Sequence, residues 1–284
     1  MFKYYLCMGE MHIVLESVKP LCLGDRAAVF QTERDLADIC YSIEARIVLP
    51  EGKLIYSSAD YQVYENGTEQ YRVFSGSRDR IVLKRSKKAP CHSWIYVDEE
   101  SLQELQSVLV TRYLALEEPF LSCHAFLLHA SLIRWGTHGI AFTAPSGIGK
   151  STQAELWRQY QGADVLNGDR ALLRNAGQEI RAYGSVFAGS SGIYRNESVR
   201  LSAVIVLEQA AENELTQLWG ARAFSRLYSQ ILSNPWSSEF VERLSKELQI
   251  MLERVPVYLL RCRPDAGAVE LVKQELERIT QTER

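Results

Sequence analysis

One eight-residue stretch near the middle of the chain has the residue types and spacing of a phosphate-binding loop. Residues 144–151 are Ala-Pro-Ser-Gly-Ile-Gly-Lys-Ser, with Ala144 where the first glycine of the pattern usually stands. In such a loop, successive backbone N–H groups surround a polyphosphate, the lysine reaches its terminal phosphates, and the serine hydroxyl joins the shell of a bound Mg²⁺. The motif therefore predicts a site for a nucleoside triphosphate and Mg²⁺.

The residues that we assign to nucleotide binding belong to this loop and to the segment that follows it. They are Ser146, Gly147, Ile148, Gly149, Lys150, Ser151 and Thr152. Lys150 supplies a cation for the β- and γ-phosphates, and Ser151 is an expected Mg²⁺ ligand. The alternative is an ordinary glycine-containing turn.

The flanking segments predict the elements that must position the loop. Residues 139–143 form a short apolar run, which is typical of a buried strand, and residues 151–160 have the pattern of a helix with Ala154 and Trp157 on one face. A strand, a glycine-rich loop and a helix, in this order, direct the helix N-terminus at the bound anion. The order therefore favours the phosphate site over the ordinary turn.

A carboxylate follows soon after the loop. Asp169 is nineteen residues beyond Lys150, in the turn Asn167-Gly168-Asp169 between two short apolar segments. The guanine-reading pattern Asn-Lys-x-Asp is not present in the chain, which weakens a GTPase interpretation. Phosphoryl transfer needs charge neutralisation and positioning, so one carboxylate can serve as a metal ligand or as the acceptor of the substrate's hydroxyl proton. We expect Asp169 to have one of these roles, and a turn-capping aspartate is the alternative.

Three segments taken together resemble the HPr serine kinase family. The segments are His129-Ala-Ser-Leu-Ile133, residues 139–151, and Val165-Leu-Asn-Gly-Asp-Arg170. The resemblance implies a nucleotide domain of the kind related to phosphoenolpyruvate carboxykinase.

The resemblance also implies the roles of three side chains. His129 would lie near the nucleotide phosphates, Lys150 would neutralise them, and Asp169 would stand at the transfer centre, so the expected catalytic set is Asp169, Lys150 and His129. Ser151 and Asp169 are the expected metal ligands. For His129, the residues alone equally allow a structural histidine in an apolar strand.

Two features depart from the pattern of that family. Its enzymes carry two adjacent aspartates at the turn, whereas this chain has Gly168 before Asp169. The signature tied to HPr, Glu-x-Arg-Gly-x-Gly, is missing, and residues 188–196 stand in its region, where Arg195 and Asn196 are candidates for contact with phosphate or substrate. Similar kinases phosphorylate a serine on ribosomally made peptides, so the resemblance admits a peptide or small protein as the acceptor.

These observations predict a P-loop phosphotransferase. We expect an ATP- and Mg²⁺-dependent kinase that moves the γ-phosphate to a hydroxyl, with the serine of a peptide or small protein as the acceptor. One alternative is a small-molecule hydroxyl kinase on the same scaffold. Another is a nucleotide-binding accessory protein without catalysis, which the missing second aspartate favours.

Composition and charge limit the partners. The 284 residues are 46% hydrophobic and 24% charged with a formal net charge of −3, which is typical of a globular protein with no bulk attraction to nucleic acid or an anionic membrane. A basic cluster at 84–88 is typical of a solvated hairpin end, with a docking patch as the alternative. No secretion signal or membrane span is recognisable, and six scattered cysteines suit reduced thiols, so we expect a cytoplasmic protein. A homo-oligomer is compatible with the sequence.

Periodicity predicts two domains of mixed α and β structure. Residues 1–118 are expected to form an antiparallel β module, with a strand at 45–49, a hairpin at Asn66-Gly67 and a final helix. A capping box at Ser101 begins that helix and Pro119 ends it. Residues 119–284 are expected to form the P-loop kinase domain, with a mixed sheet like that of phosphoenolpyruvate carboxykinase.

Two further expectations concern the second domain. Asn234-Pro235 is predicted to begin a helix, with Asn234 as its cap and the proline at its first position. The apolar run at 255–260 is predicted to be an edge strand, because Pro256 cannot donate to a central ladder.

Overall fold

The computed structural model describes residues 1–76, 81–104 and 108–282. The chain divides into two compact units. The first consists of Met1–Cys123 with Asn234–Phe240, and the second of His124–Ser233 with Val241–Arg284. Within the described ranges, none of the helices has the length and apolar character that a membrane span requires.

The first unit is built on a large sheet. Its strands are β1 (Phe2–Met8), β2 (Met11–Ser17), β3 (Ile39–Ala45), β4 (Lys53–Ser57), β5 (Tyr61–Asn66), β6 (Glu69–Phe74), β7 (Val82–Ser86) and β8 (Ala89–Val97). Its helices are α1 (Gly24–Ala28), α2 (Ser101–Glu104) and α3 (Glu117–Ser122), and a π-helical turn covers Leu109–Tyr113. In the described part of the chain, the eight strands have the order β1-β2-β3-β8-β7-β6-β5-β4.

This sheet is mixed, so the prediction of a purely antiparallel module was wrong. Strand β3 is parallel to both of its neighbours, β2 and β8, while β4 to β8 form antiparallel pairs. Parallel neighbours need a long connection between them, and such a connection leaves no local signal in the sequence. The predicted strand at 45–49 is also absent, because β3 ends at Ala45 and the side chains of Ile47 and Leu49 are exposed.

Two hairpins show why turn chemistry sets the register. The predicted hairpin is present between β5 and β6, where Asn66 pairs with Glu69 and Gly67 has a φ of 61°. The sequence did not reveal the β1–β2 hairpin, in which Gly9 and Glu10 have φ values of 59° and 61°. Positive φ at both central residues matches the twist of a two-residue hairpin, but glutamate rarely adopts it.

The predicted helix does not run unbroken to Pro119, since the π-helical turn ends at Tyr113 and α3 begins at Glu117. Its N-terminal cap is Asp98, whose carboxylate accepts the N–H groups of Glu100 and Ser101 and the hydroxyl of Ser101. Pro119 does not end the helix but is the third residue of α3. Leu105, which belongs to the predicted apolar stripe, lies outside the described residues.

The basic cluster forms a hairpin end, as expected, but one of its members is buried. Lys87 and Lys88 are exposed between β7 and β8, whereas Arg85 points into the unit. The Arg85 guanidinium donates to Ser93 Oγ at 2.7 Å and to the carbonyl oxygen of Leu114 at 3.1 Å. This arginine therefore satisfies buried polar groups and is not part of a basic surface.

The short return segment, Asn234–Phe240, belongs to the first unit through a buried arginine. The Arg72 guanidinium forms an ion pair with Glu117, donates to Asn234 Oδ1 at 3.1 Å, and lies 5.2 Å from the ring centroid of Trp236. Burial alone would raise the pKa of Glu117, but Arg72 and Arg85 outweigh burial and lower it. The carboxylate is thus held ionised inside the unit.

The second unit contains the phosphate-loop sequence. Its strands are β9 (Ala125–Trp135), β10 (His138–Thr143), β11 (Asp164–Asn167), β12 (Arg170–Ala176), β13 (Glu179–Tyr183), β14 (Ser198–Gln209), β15 (Glu214–Leu218) and β16 (Val257–Cys262). Its helices are α4 (Lys150–Gln161), α5 (Gly220–Tyr228), α6 (Ser238–Arg254), of which 238–240 belong to the first unit, and α7 (Ala266–Thr282), and a 3₁₀ turn covers Gly189–Ser191.

The second sheet is also mixed. In the described chain its main path is β10-β9-β12-β13-β14-β16-β15, with β11 paired to β9 and a further parallel pairing of β10 with β14. The side chains of Phe142, Trp157 and Ile205 are fully buried together with residues of α7. Strand β10 and helix α4 are thereby fixed on either side of the loop that joins them.

Two predictions for this unit were wrong. Helix α6 begins at Ser238 and not at Pro235, and Ser237 Oγ accepts the N–H of Phe240 at 3.2 Å. Strand β16 is central, since it pairs with β14 on one side and β15 on the other. Pro256 precedes the strand, so its missing N–H does not interrupt the ladder.

Candidate active site

The loop between β10 and α4 has the backbone conformation that its glycines permit. Gly147 and Gly149 have φ values of 84° and 122°, a region that disfavours side chains. Ala144, at the place of the usual first glycine, is fully buried and, unlike Gly147 and Gly149, does not have a positive φ. The Thr143 hydroxyl donates to the carbonyl oxygen of His129 at 2.8 Å and so fixes the end of β10 against β9. The replacement of the first glycine by alanine is therefore compatible with the loop.

Lys150 is the first residue of α4 and folds back over the loop. Its ammonium group donates to the carbonyl oxygens of Ala144 at 2.9 Å and Pro145 at 3.3 Å. An ammonium group has three donors, so one remains for a phosphate oxygen. Burial lowers the pKa of Lys150, and the Asp169 carboxylate partly opposes this shift. A buried cation at the N-terminus of a twelve-residue helix is an arrangement that favours the binding of an anion.

The turn that carries Asp169 is shaped by a buried asparagine. Asn167 Oδ1 accepts the N–H groups of Asp169 at 3.0 Å and Arg170 at 2.8 Å, while its amide donates to the carbonyl oxygens of Ser185 and Phe187. No role for Asn167 was predicted from the sequence. Its position two residues before Asp169, ahead of a glycine, is the signal of such a turn.

His129 and Asp169 are brought together by the pairing of β9 with β12. His129 is the cross-strand partner of Arg170, and its Nε2 lies 3.6 Å from Asp169 Oδ1, beyond direct hydrogen-bond distance. Burial and the nearby Lys150 lower the pKa of His129, and Asp169 opposes them. The imidazole is therefore neutral at pH 7, since the ordinary pKa of histidine is about 6.5.

Gly168 cannot be replaced by a residue with a side chain without movement of the adjacent loop. A Cβ atom built on Gly168 would lie 1.7 Å from Ser191 Oγ and 2.7 Å from Ser191 Cβ. Gly189 lies equally close to Asp169, the residue after Gly168, since a Cβ atom built on Gly189 would lie 2.8 Å from Asp169 Cβ. The loop at 188–192 thus takes the space that a second aspartate would need.

A cleft of about 230 Å³ joins these groups. It is lined by Ser146, Gly147, residues 149–152, His129, Gly168, Asp169 and Ser190. The three predicted catalytic side chains, Asp169, Lys150 and His129, therefore line one cavity with most of the predicted loop residues. Ser190 is an additional lining residue that the sequence did not indicate.

A second, larger cavity adjoins the other side of the phosphate loop. It has a volume of about 380 Å³ and is lined by residues 147–149, Thr152, Gln153, residues 207–210 and residues 262–264. Ile148 lines this cavity and not the smaller cleft. Gly147, Gly149 and Thr152 line both, so the two spaces meet along the loop.

The oxygen donors of the cleft suit Mg²⁺. Ser151 and Asp169 both line it, and Mg²⁺ prefers hydroxyl, carboxylate, phosphate and water oxygens. Over residues 1–76, 81–104 and 108–282, no group of three or more His, Cys, Asp or Glu side chains could hold a metal on its own. The two side chains fit a cation whose remaining ligands come from phosphate and water.

Arg195 lies outside the residues that line the cleft. Its guanidinium is 3.5 Å from Asp164 and 3.6 Å from Glu197, and Arg134 pairs with the same two carboxylates. Because Arg195 belongs to a surface ion-pair cluster, the structure gives it no place beside the phosphate loop.

Comparisons with known proteins give little further information. No protein-family model matches the chain, and no curated protein is similar to it in sequence. Among solved structures, the HPr(Ser) kinase/phosphatase from Coxiella burnetii has a TM-score of 0.32 and 12% identity, covering 55% of this chain and 91% of that one. This TM-score is too low to assign the fold of that protein to this chain.

Proposed function

We propose that the protein is an ATP- and Mg²⁺-dependent kinase that transfers the γ-phosphoryl group to a hydroxyl, with the serine of a peptide or small protein as its acceptor class. The observation that supports this proposal best is the shared cleft, where the phosphate loop and Lys150 face His129 and Asp169. A glycine turn with a purely structural role does not require a carboxylate and a histidine in the same cavity.

The triphosphate would bind along the loop. Backbone N–H groups at the start of α4 and the free donor of Lys150 would neutralise the β- and γ-phosphates. The adjoining 380 Å³ cavity is within the size range of small-molecule sites and would take the nucleoside. Ser151 and Asp169 would hold Mg²⁺, which when bound supplies further positive charge between the phosphates.

Asp169 would also receive the proton of the acceptor hydroxyl. Asp169 lines the cleft, and a neutral His129 beside it would add no competing positive charge. A single carboxylate is enough for this reaction, because most of the catalysis comes from positioning and electrostatic stabilisation.

The test is a transfer assay with ATP–Mg²⁺ and a panel of serine-containing peptides and small hydroxyl compounds. Lys150→Ala should weaken nucleotide binding by about 10- to 100-fold, which corresponds to a charge-assisted hydrogen bond of about 1.5–3 kcal/mol. Lys246→Ala, which removes an exposed lysine on α6, is the matched control and should bind as the wild type does.

Asp169→Asn tests both roles of the carboxylate, one through transfer and the other through nucleotide binding. Loss of the proton acceptor should slow transfer by about 10²–10⁴-fold, and loss of the metal ligand should weaken the Mg²⁺-dependent part of nucleotide binding. Tight nucleotide binding without transfer to any acceptor would favour a non-catalytic accessory protein. Transfer that is unchanged in Asp169→Asn would show that the reaction centre lies elsewhere.

A further inference from the structure

The loop at 188–192 contributes a serine, Ser190, to the wall of the phosphate cleft. Ser190 is exposed and lines the cavity together with Lys150 and Asp169. Among the described residues its hydroxyl has no hydrogen-bond partner, whereas the neighbouring Ser191 Oγ donates to Ala188 O at 2.8 Å and accepts the N–H of Ile193 at 3.2 Å. Ser191 therefore stabilises the turn through its hydrogen bonds, whereas the Ser190 hydroxyl is available to react.

The backbone fixes this turn against the reaction centre. The Gly168 N–H donates to Ile193 O at 3.1 Å, and the Arg195 N–H donates to Leu166 O at 3.0 Å. Gly189, with a φ of 57°, packs on the side chain of Asp169. Ser190 thus directly follows Gly189, which is in contact with Asp169. The hydrogen bonds of Ile193 and Arg195 fix the C-terminal side of this turn.

The cleft beside the loop is small, and Ser190 is already part of its wall. About 230 Å³ is below the range of about 300–1,000 Å³ that is usual for small-molecule sites, and the γ-phosphate would take part of it. Ser190 already forms part of the cavity wall, so its hydroxyl needs no separate binding step before transfer.

We propose that Ser190 is itself a phosphoryl acceptor, so that the protein phosphorylates its own loop within one chain. This proposal rests on the proposed kinase function. A bond forms between Ser190 Oγ and the γ-phosphorus of ATP, and the bond from that phosphorus to the β–γ bridging oxygen breaks. The hydroxyl proton goes to the Asp169 carboxylate, and ADP leaves with the bridging oxygen.

Phosphorylation at Ser190 has a consequence for the site. A phosphoserine carries a charge of about −1.5 to −2 at pH 7 and would remain beside Lys150 and the helix N-terminus, where the next ATP must place its own phosphates. The modified chain should therefore bind ATP more weakly than the unmodified chain. Phosphorylation of Ser190 would therefore inhibit further reaction at the same active site.

The experiment is incubation of the full chain with ATP–Mg²⁺, followed by intact-mass measurement and peptide mapping. We expect one phosphoryl group per chain on Ser190. The rate constant for its appearance, expressed per chain, should not depend on protein concentration. Ser190→Ala should abolish the modification, Ser190→Thr should carry it on the threonine, and Ser191→Ala should leave it on Ser190. Asp169→Asn should slow it by about 10²-fold or more.

Nucleotide binding, measured in parallel with Lys150→Ala as its negative control, separates this inference from the proposed function. If ATP binds but no phosphoryl group appears on Ser190, or if it appears on another residue, self-phosphorylation at this loop is wrong and the kinase proposal stands. A rate per chain that rises with protein concentration would also overturn the intramolecular step. If ATP does not bind, both proposals fail together.

Discussion

Gly168 shows how a single residue decides what the aspartate turn can hold. Ser191 occupies the space that a side chain at position 168 would need, since its hydroxyl lies where a Cβ atom of residue 168 would be. Asn167 then supplies the hydrogen bonds that hold the Asp169 and Arg170 N–H groups in the turn. The turn is therefore complete with one carboxylate, and the glycine is a packing requirement as well as a departure from a two-aspartate pattern.

The first prediction concerns this packing. Gly168→Ala should destabilise the protein by about 1–3 kcal/mol, the usual cost of overpacking, because the 188–192 loop must move away. Ser191→Gly removes both clashing atoms, so the double variant should recover most of the loss. Denaturant unfolding of the wild type, the two single variants and the double variant measures this coupling. A Gly168→Ala protein as stable as the wild type would contradict the account.

The second prediction follows from the lowered pKa of His129. As the pH falls below about 6.5, the unfolded chain takes up a proton at this histidine more readily than the folded chain does, so the free energy of unfolding decreases with decreasing pH. His129→Asn should therefore show a smaller loss of stability between about pH 6.5 and pH 5. Identical pH profiles for the two proteins would mean that His129 titrates normally.

At the scale of elements, the segments around the phosphate loop could be predicted from the sequence because their signals are local. A continuous apolar run predicted β10, and the glycine-rich pattern predicted the loop. The spacing of Ala154 and Trp157 predicted α4. The hairpin at Asn66-Gly67 was predicted for the same reason. Each of these elements is decided by residues within a few positions of one another.

The elements that could not be predicted depend on distant partners. The parallel pairing of β3 with β2 and β8, and the central place of β16, are set by strands far away in the sequence. The competing caps illustrate the same limit. Ser101 and Asn234 both have the residue type of a helix cap, but Asp98 caps α2 and Asn234 is bound to Arg72. Ser190 was missed because a serine in a loop has no distinguishing neighbours.

At the scale of the whole molecule, the chain returns to the first unit for a short segment, Asn234–Phe240. Trp236 is the main anchor of that segment. Its ring centroid lies 4.6 Å from that of Tyr56 and 5.7 Å from that of Tyr61, and the Arg72 guanidinium lies beside it. The stability of the first unit therefore depends on residues far along the chain.

The third prediction tests this dependence. Trp236→Ala should destabilise the full chain by about 1–3 kcal/mol through the loss of the aromatic and cation–π contacts. Trp219→Ala is a matched control, because Trp219 is 70% exposed. Thermal unfolding should show a lower Tm for Trp236→Ala and an unchanged Tm for Trp219→Ala. Equal Tm values for the two variants would contradict the anchoring role.

A crystal structure of the protein with a non-hydrolysable ATP analogue and Mg²⁺ would show whether the loop at 144–151 binds a triphosphate. We expect the β- and γ-phosphates within hydrogen-bond distance of the backbone N–H groups of residues 147–152 and of Lys150 Nζ, with the γ-phosphate facing Asp169. An analogue bound elsewhere, or a loop whose N–H groups point away from the phosphates, would contradict it.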